Sequence, residues 1–395
     1  VFNRAGKVCE RREEKTVFQR KSFCALVLIS TYIVSSALSA QSIETAARHA
    51  VLYDLTTDTI LLNKASDVPM PPASMSKLMT VYMVFERLKA GRLSLDDKFV
   101  VSRKAWRKGG SKMFVMVKSR VAVKDLLRGI IIQSGNDACI VIAEGISGSE
   151  DAFAEEMTLK AKEIGLTNSS FKNSTGWPAD GHYMSARDIA TLSKKLILDF
   201  PEYYKLFSET EFTFGGIKQG NRNPLLYKNF GADGLKTGHT KASGYGLAAS
   251  TIRKGRRLLL VVNGLNSKRA RKSESARLLD WAYRETSSYA LFKKGRVIET
   301  ADIWLGKIAN LPLVINRNIT LTMSRKARQG MKVKLSYKNP IPAPVKKGSQ
   351  VGLLTVTAPG ITPIKVQLIA DTDVEQLGPM GRISAATKYL LFGGS

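Results

Sequence analysis

Three short motifs in this chain contain the residue types that serine acyl transfer needs, and they occur in a fixed order. They are Ser74-Met75-Ser76-Lys77, Ser134-Gly135-Asn136 and Lys236-Thr237-Gly238. Acyl transfer requires an activated nucleophile, a group that carries the proton, and hydrogen-bond donors for the oxyanion. Each motif alone is common by chance. Their order and separation together predict a serine nucleophile that depends on lysine rather than on histidine.

The first motif supplies the nucleophile and the base. Ser74 and Lys77 are three positions apart, so on a helix their side chains share one face and lie within reach of each other. The apolar pattern predicts a buried helix over residues 74–88, with Ser74 in the first turn at the positive end of the helix dipole. Lys77 must lose its proton to act as a base. Burial and a second cation both lower a lysine pKa, and Lys236 is the candidate for that cation.

The second motif places a hydroxyl and a carboxamide on a loop between two predicted helices. Ser134 is suited to relay a proton between Lys77, Lys236 and the leaving group. Asn136 is suited to hold a substrate amide, because its side chain both donates and accepts hydrogen bonds. Gly135 permits a tight backbone turn. Read alone, the same three residues equally suit a helix-capping turn.

The third motif lies on a predicted strand. An extended strand edge pairs with a peptide substrate through main-chain hydrogen bonds. We expect Gly238 to leave room for that approach, and Lys236 and Thr237 to bind a carboxylate.

A histidine-based hydrolase is the alternative arrangement. The chain has three histidines, His49, His182 and His239, and no Gly-x-Ser-x-Gly elbow accompanies them. His239 directly follows the third motif, where its backbone N–H could join that of Ser74 as an oxyanion hole. We expect His182 to be a structural loop residue. The histidines therefore predict a positional role and no general base.

The composition is strongly basic. The chain has 61 Lys and Arg against 33 Asp and Glu, a formal net charge of +28, which favours anionic partners. We find no zinc-finger spacing, no basic heptad region and no aromatic RNA-binding signature, and the charge is spread along the chain. An anionic surface such as a membrane is therefore a better partner than nucleic acid. No metal-ligand spacing is present, and we expect no metal and no other cofactor.

Residues 1–40 have the pattern of an export signal. A basic stretch ending in Arg20-Lys21 precedes an apolar run and then small residues up to Ala40. The apolar run is short for a membrane-spanning helix, which needs about 20 residues. An uncleaved anchor or a buried helix remains the alternative. Cys9 and Cys24 lie in this segment, so Cys139 would be alone in an exported, periplasmic protein, and we expect it to be a packed thiol rather than a nucleophile.

The length of the chain, 395 residues, suits two domains. Residues 41–294 read as mixed α/β: strand signals at 49–62 and 233–263 flank a helical middle at 123–200, so the sheet must pair early and late parts of the sequence. A helix over about 273–285 ends this unit. Residues 295–378 alternate apolar and polar residues between prolines, which predicts a small all-β domain without a catalytic cluster. Residues 379–395 could form an amphipathic tail that lies on a membrane, or a helix that packs on its own domain.

With these residues in hand, the chain resembles the serine-type D-alanyl-D-alanine carboxypeptidases, and among them the type-5 low-molecular-mass penicillin-binding proteins. The resemblance covers roughly residues 43–375. Its most specific stretches are Pro72-Ala73-Ser74-Met75-Ser76-Lys77-Leu78-Met79-Thr80, Gln133-Ser134-Gly135-Asn136-Asp137-Ala138, Tyr183-Met184-Ser185-Ala186-Arg187-Asp188 and Gly234-Leu235-Lys236-Thr237-Gly238-His239-Thr240. The resemblance implies an α/β catalytic domain of the β-lactamase and transpeptidase type, an antiparallel sheet with a helical subdomain, followed by an all-β stalk domain.

The resemblance also implies roles for single residues. It implies Ser74 as the nucleophile, Lys77 as the acylation base, Ser134 and Asn136 as relay and substrate holder, Lys236 and Thr237 as carboxylate binders, and Arg187 and Arg271 as arginines that support the carboxylate end of the pocket. The implied reaction removes the terminal D-alanine from peptidoglycan stem pentapeptides, and β-lactams would acylate the same serine. In such proteins a C-terminal amphipathic helix anchors the enzyme to the inner membrane.

Two alternatives stay open at this point. A class A-like β-lactamase shares the Ser-x-x-Lys and Lys-Thr-Gly motifs but needs a glutamate that deacylates through water, and the segment between the second and third motifs has no convincing counterpart. A non-catalytic peptidoglycan-binding protein could retain the fold, although the motifs here are intact. The preference between carboxypeptidase and endopeptidase activity is also left open by the sequence.

Overall fold

The computed structural model describes residues 43–392. The predicted signal segment over residues 1–40, with Cys9 and Cys24, and the end of the tail over residues 393–395 lie outside the described residues.

A five-stranded antiparallel sheet forms the centre of the first domain. Its strand order is β2-β1-β9-β8-β7, and two small two-stranded sheets, β3-β4 and β5-β6, lie outside it. The strands of this domain are β1 His49–Asp54, β2 Thr59–Lys64, β3 Lys98–Val100, β4 Arg120–Ala122, β5 Glu211–Phe214, β6 Ile217–Gly220, β7 Ala232–Thr240, β8 Gly244–Arg253 and β9 Arg256–Leu265.

The pairing of early and late sequence that we predicted is present. β1 forms a hairpin with β2 and pairs on its other side with β9, where Val51 lies opposite Val261. The middle strands β8 and β9 are almost entirely buried because helices cover both faces of the sheet. β7 pairs with β8 alone in the described structure, so the strand that carries the third motif is an edge strand.

Eight helices pack around and beside this sheet. They are α1 Lys77–Lys89, α2 Arg103–Arg107, α3 Val123–Ile131, α4 Asn136–Ser147, α5 Glu150–Glu163, α6 Ala186–Asp199, α7 Pro201–Tyr204 and α8 Lys268–Glu285. In α1 every residue from Lys77 to Phe85 is buried, as its nearly all-apolar sequence predicts. This helix therefore holds the catalytic motif at the centre of the largest core cluster.

Two helix boundaries differ from the sequence-based expectation. Residues Ala73–Ser76 form a 3-10 turn, and α1 proper begins only at Lys77. α8 begins at Lys268 rather than near residue 273, because the Ser267 hydroxyl accepts a hydrogen bond from the main-chain N–H of Ala270 and caps the helix. The basic run before residue 273 is thus helical, which fixes Arg271 in the first turns of α8.

The second domain is all-β apart from one short helix. Its elements are β10 Thr286–Phe292, β11 Val297–Trp304, β12 Asn310–Val314, β13 Ile319–Ser324, α9 Arg325–Gln329, β14 Lys332–Tyr337, β15 Ile341–Pro342, β16 Gln350–Ala358 and β17 Ile361–Ala370. A six-stranded sheet has the order β14-β16-β17-β12-β11-β15, and β10 pairs with β13. Because β10 follows α8 directly, the β structure begins before the boundary at residue 294 that the sequence suggested.

The last element is α10, Pro379–Phe392. Met380, Ile383 and Leu391 on it are exposed, with 85%, 66% and 71% of their side-chain surface accessible. No helix in the described part of the chain is both long enough and apolar enough to span a bilayer.

Candidate active site

The 3-10 turn brings Ser74 and Lys77 together at the base of a cavity. Ala73, just before the serine, adopts a left-handed backbone conformation with φ of 48°. Lys77 is fully buried, and its Nζ lies 2.9 Å from Ser74 Oγ, 2.8 Å from Asn136 Oδ1 and 2.6 Å from the carbonyl oxygen of Thr175. The first two motifs therefore meet at one ammonium group.

The surroundings of Lys77 favour its neutral form. Its pKa is lowered from 10.5 to about 8, chiefly because burial removes the ammonium from water. The cations of Arg222 and Lys108 lower the pKa further, whereas Cys139 and Asp137 oppose the shift. A larger fraction of the molecules therefore carries a neutral Lys77 at pH 7 than would carry a neutral ordinary lysine.

The second motif forms the tight turn between α3 and α4. Ser134 has a φ of 67°, and its Oγ is buried without a hydrogen-bond partner among the described residues. Asn136 is the first residue of α4, and its Nδ2 donates to the carbonyl oxygen of Gly109 over 2.9 Å. The Asp137 carboxylate accepts from the main-chain N–H groups of Met113 and Phe114 at 2.9 Å each. These bonds fix the turn, so the unpaired Ser134 hydroxyl is held at a defined place two residues before Asn136, which contacts Lys77.

Lys236 of the third motif is buried on β7 with 2% of its surface exposed. The hydrogen bond described for its Nζ is a long one of 3.3 Å to the carbonyl oxygen of Thr237. Burial and the neighbouring cations Lys77 and Arg222 hold the pKa of Lys236 well below its usual value. We predicted Lys236 as the cation that lowers the pKa of Lys77. The main cations that act on Lys77 are instead Arg222 and Lys108, whereas Lys77 lowers the pKa of Lys236.

Packing within the fold explains why position 238 is a glycine, whereas we predicted an explanation from substrate binding. A Cβ at this position would lie 2.8 Å from the carbonyl oxygen of Pro72 and 3.2 Å from the Met75 side chain. The missing side chain therefore lets β7 approach the turn that carries Ser74, whereas the sequence suggested room for a substrate.

The structure brings Arg271 to the site. Arg271 is 8% exposed, its guanidinium lies 5.9 Å from the centre of the Tyr245 ring, and its charge contributes to the low pKa of Lys236. His239, at the end of β7, stacks on the same Tyr245 ring at 3.9 Å and lines the cavity.

Arg187 is not brought together with the motif residues. Its guanidinium pairs with the carboxylate of Asp67 and donates to Ser66 Oγ, and its main-chain N–H bonds the Ser66 carbonyl. These contacts tie the start of α6 to the loop that follows β2. They give no support to the role at the carboxylate that the resemblance implied.

Arg222 is a residue that sequence reasoning missed. It lies in the segment between β6 and β7, and its Nη1 donates to Ser111 Oγ over 2.6 Å. Partial burial lowers its pKa, and its charge lowers the pKa of both Lys77 and Lys236. No ion pair is found for it among residues 43–392. No motif surrounds Arg222, so only the tertiary structure reveals it.

A cavity of about 310 Å³ opens above Ser74. Its wall opposite β7 is the segment from Thr175 to Pro178, and Gly110, Ser111 and Asn136 complete the lining, together with His239 and Thr240. Gly176 has a φ of 77°, and a Cβ there would lie 2.0 Å from the Ala73 carbonyl oxygen, so this wall packs directly against the nucleophile turn.

Two family models match the chain. Residues 35–267 match the D-alanyl-D-alanine carboxypeptidase model of the peptidase S11 type, and residues 287–376 match the C-terminal domain of penicillin-binding protein 5. The chain belongs to the D-alanyl-D-alanine carboxypeptidase family.

Curated relatives and solved structures agree with this membership. The chain is 36% identical to D-alanyl-D-alanine carboxypeptidase DacC of Escherichia coli over 92% of both chains. It is 35% identical to DacF of Bacillus subtilis over 84% of this chain and 87% of that one. The DacD structure from Francisella tularensis superposes with a TM-score of 0.76 at 32% identity, covering 85% of this chain and 95% of that chain. Penicillin-binding protein 5 from Haemophilus influenzae gives 0.71 at 34%, with 85% and 99% covered. The predicted fold class is confirmed.

Fast hydrolysis of an acyl-enzyme of the class A β-lactamase type requires a carboxylate that activates water in the cavity. None of the residues that line the cavity in the described structure carries a carboxylate. Glu150, whose carboxylate contacts the residue before Thr175, accepts a 2.8 Å hydrogen bond from Ser174 Oγ and pairs with Lys104 at 3.0 Å. Its carboxylate is therefore engaged behind the wall and not in the cavity.

Among residues 43–392, neither a metal site nor an exposed thiol is found. No group of three or more His, Cys, Asp or Glu side chains within the described residues is placed to hold a metal ion. Cys139 is fully buried, and burial raises the pKa of its thiol to about 12, which fits the packed thiol that we predicted.

Proposed function

We propose that this protein is a serine D-alanyl-D-alanine carboxypeptidase that removes the terminal D-alanine from peptidoglycan stem pentapeptides through an acyl-Ser74 intermediate. The observation that carries the proposal is the contact between Lys77 Nζ and Ser74 Oγ at the base of the cavity. Family membership supports the same reaction.

In acylation, the neutral form of Lys77 takes the proton from Ser74 Oγ, and the oxygen attacks the carbonyl carbon of the penultimate D-alanine. The main-chain N–H groups of Ser74 and His239 are proposed to bind the oxyanion. As the C–N bond breaks, the proton returns to the leaving amine by way of Ser134, whose hydroxyl has no other described partner. D-Alanine leaves, and water then hydrolyses the ester to release the shortened peptide and restore Ser74.

The carboxylate of the leaving D-alanine is proposed to bind at Lys236 and Thr237 on β7, the strand whose His239 and Thr240 line the cavity. Arg271 and Arg222 add positive charge near Lys236. The free edge of β7 supports main-chain pairing with the extended stem peptide. A substrate with an amidated C-terminus would lose this attraction.

β-Lactams are proposed to acylate Ser74 and to leave slowly. A class A-like β-lactamase would need a carboxylate in the cavity to activate water, and the lining offers none in the described structure. Release of labelled penicillin over many minutes supports the carboxypeptidase, whereas release within seconds supports the β-lactamase.

The proposed site of action is the periplasmic face of the inner membrane. The signal-like segment, the net charge of +28 and the exposed apolar side chains of α10 support export and contact with an anionic membrane surface. Separation of the protein between membrane and soluble fractions, with and without residues 379–395, tests the membrane contact.

Replacement of the nucleophile tests the enzymatic proposal. Ser74→Ala should abolish D-alanine release from a stem pentapeptide while the circular dichroism spectrum and Tm stay close to those of the parent. An unchanged release rate would refute the role of Ser74. A parent protein that binds peptidoglycan but releases no D-alanine would instead indicate the non-catalytic alternative. Parallel assays on a cross-linked peptide dimer measure any endopeptidase activity.

A further inference from the structure

A lysine stands beside an exposed tryptophan at the mouth of the cavity. Lys108 follows α2, and its Nζ lies 4.6 Å from the centre of the Trp177 ring, within the range of a cation–π contact. Trp177 lines the cavity and keeps 44% of its surface exposed. No ion pair within residues 43–392 neutralises Lys108, so this ammonium is available to a ligand.

Both members of the pair are held by fixed backbone. Asn136 Nδ2 donates to the carbonyl oxygen of Gly109, the residue after Lys108. Gly110 has a φ of 78°, and a Cβ there would lie 2.8 Å from Asn136 Nδ2 and 3.0 Å from the Trp177 ring. On the other side, the Asn173 carboxamide accepts from the Trp177 N–H at 3.0 Å and donates to the Trp177 carbonyl at 2.9 Å. The backbone beside Lys108 and at Trp177 is therefore fixed, and the Lys108 side chain contacts the Trp177 ring through the cation–π contact.

Trp177 and the proposed carboxylate binders lie on different parts of the site. Trp177 belongs to the Thr175–Pro178 segment of the lining, whereas Lys236 and Thr237 lie on β7, which contributes His239 and Thr240 to the lining. If the terminal carboxylate binds at Lys236, the peptide on the other side of the scissile bond must leave the cavity past Ser74 and the Thr175–Pro178 wall. The side chain of the residue before the two D-alanines then meets the face of Trp177.

We propose that Lys108 and Trp177 form a subsite for the residue that precedes D-alanyl-D-alanine, and that the subsite selects a side chain ending in a carboxylate. The proposal rests on the function proposed above. The methylene groups of such a side chain lie on the Trp177 ring, and its carboxylate pairs with the Lys108 ammonium. A side chain that ends in an ammonium group is repelled by the same charge.

The test compares three peptides that differ only at this position. They are N-acetyl-L-2-aminopimelyl-D-alanyl-D-alanine, the same peptide with its side-chain carboxylate converted to an amide, and N-acetyl-L-lysyl-D-alanyl-D-alanine. The parent enzyme should show kcat/KM about fivefold higher for the carboxylate than for the amide, the size expected for a partly exposed charge pair, and lowest for the lysyl peptide. Lys108→Met should remove the preference. The measure is the ratio of kcat/KM for the carboxylate peptide to that for the amide peptide, because the Lys108 charge also lowers the pKa of Lys77 and its loss can change the rate on every peptide. The control Lys118→Met, at an exposed lysine of the same connecting segment, should keep the preference.

Two results would overturn the subsite. One is a parent enzyme that hydrolyses the three peptides equally, and the other is a Lys108→Met variant that keeps the parent's ratio. Because a variant can fail to fold, the parent is also assayed at rising ionic strength, where the ratio of carboxylate to amide should fall toward one; a ratio independent of salt contradicts the charge pair. If the parent releases no D-alanine from any of the peptides, the proposed function itself fails and the subsite falls with it, an outcome distinct from equal hydrolysis.

Discussion

Lys77 Nζ lies 2.8 Å from Asn136 Oδ1 and 2.9 Å from Ser74 Oγ, so one buried amine connects the proposed substrate holder to the nucleophile. The Thr175 carbonyl takes the third bond, which satisfies all three donors of an ammonium group. A neutral amine has two N–H groups and one lone pair. With Asn136 and Thr175 holding the N–H groups, the lone pair would face Ser74 Oγ, as general base catalysis requires.

Loss of this amine should stop acylation without unfolding the protein. We expect Lys77→Met to lower the second-order rate of acylation by penicillin by at least about 10²-fold, because a positioned general base contributes on the order of 10²–10⁴. Stopped-flow measurement with a fluorescent penicillin gives the rate, and Tm reports the fold. A variant that acylates at close to the parent rate would exclude Lys77 as the base.

The acylation rate should rise with pH. Burial lowers the pKa of Lys77 to about 8, and only the neutral amine accepts a proton, so the rate should increase through pH 8 and level off above it. Stability should change in the same direction. Between about pH 8 and the ordinary lysine pKa near 10.4, the unfolded chain binds more protons at this site than the folded chain does. The free energy of unfolding therefore increases as the pH rises through this range. A rate that stays flat or falls between pH 7 and 9 would contradict the assignment.

The charge of Arg222 should help to determine the pH at which the acylation rate rises. Its positive charge lowers the pKa of Lys77, so Arg222→Gln should move the rising limb to higher pH and also raise KM for a substrate with a free C-terminal carboxylate. Arg103→Gln, at an exposed arginine on α2, is the matched control and should change neither quantity. If both variants give the parent profile, Arg222 has no electrostatic role in the cavity.

Asp54 should be important for stability rather than for catalysis. It is fully buried, and its Oδ2 accepts from Arg256 Nε at 2.7 Å and from Thr322 Oγ1 of the second domain at 2.8 Å. Removal of one partner from a buried ion pair costs about 3–5 kcal/mol, so Asp54→Asn should lower the free energy of unfolding by about 3 kcal/mol. Chemical denaturation followed by tryptophan fluorescence measures it.

The control for Asp54 is Asp96→Asn, which breaks an exposed pair with Lys124. It should leave the free energy of unfolding almost unchanged, because water screens an exposed ion pair. Equal losses for the two variants would show that the buried contact has no special importance.

Sequence periodicity was sufficient to predict the strands and the helix nearest to the site. The strand signals at both ends of the first domain predicted the pairing of β1 with β9, and the apolar run after residue 74 predicted buried α1. The spacing of Ser74 and Lys77 predicted their contact, because a 3-10 turn followed by a helix keeps side chains three apart in reach. These features depend on local pattern, which the sequence carries directly.

Residues that reach the site through loops could not be predicted in this way. Arg222 and Lys108 lie outside every motif, and only the packing of their segments against Ser111 and Trp177 places them at the cavity. Arg187 shows the converse case, since it lies within a matching stretch but in the structure pairs with Asp67. The left-handed backbone of Ala73 and Ser134 also has no signal in residue type, because tertiary contacts impose it on residues other than glycine.

Mass spectrometry of the intact protein with and without penicillin tests the central claim most directly. Incubation with penicillin should add the mass of one intact penicillin molecule, and proteolytic peptides should place that mass on the peptide that contains Ser74. The Ser74→Ala variant should show no increase. An unmodified parent protein, or an adduct located on a peptide without Ser74, would contradict the account.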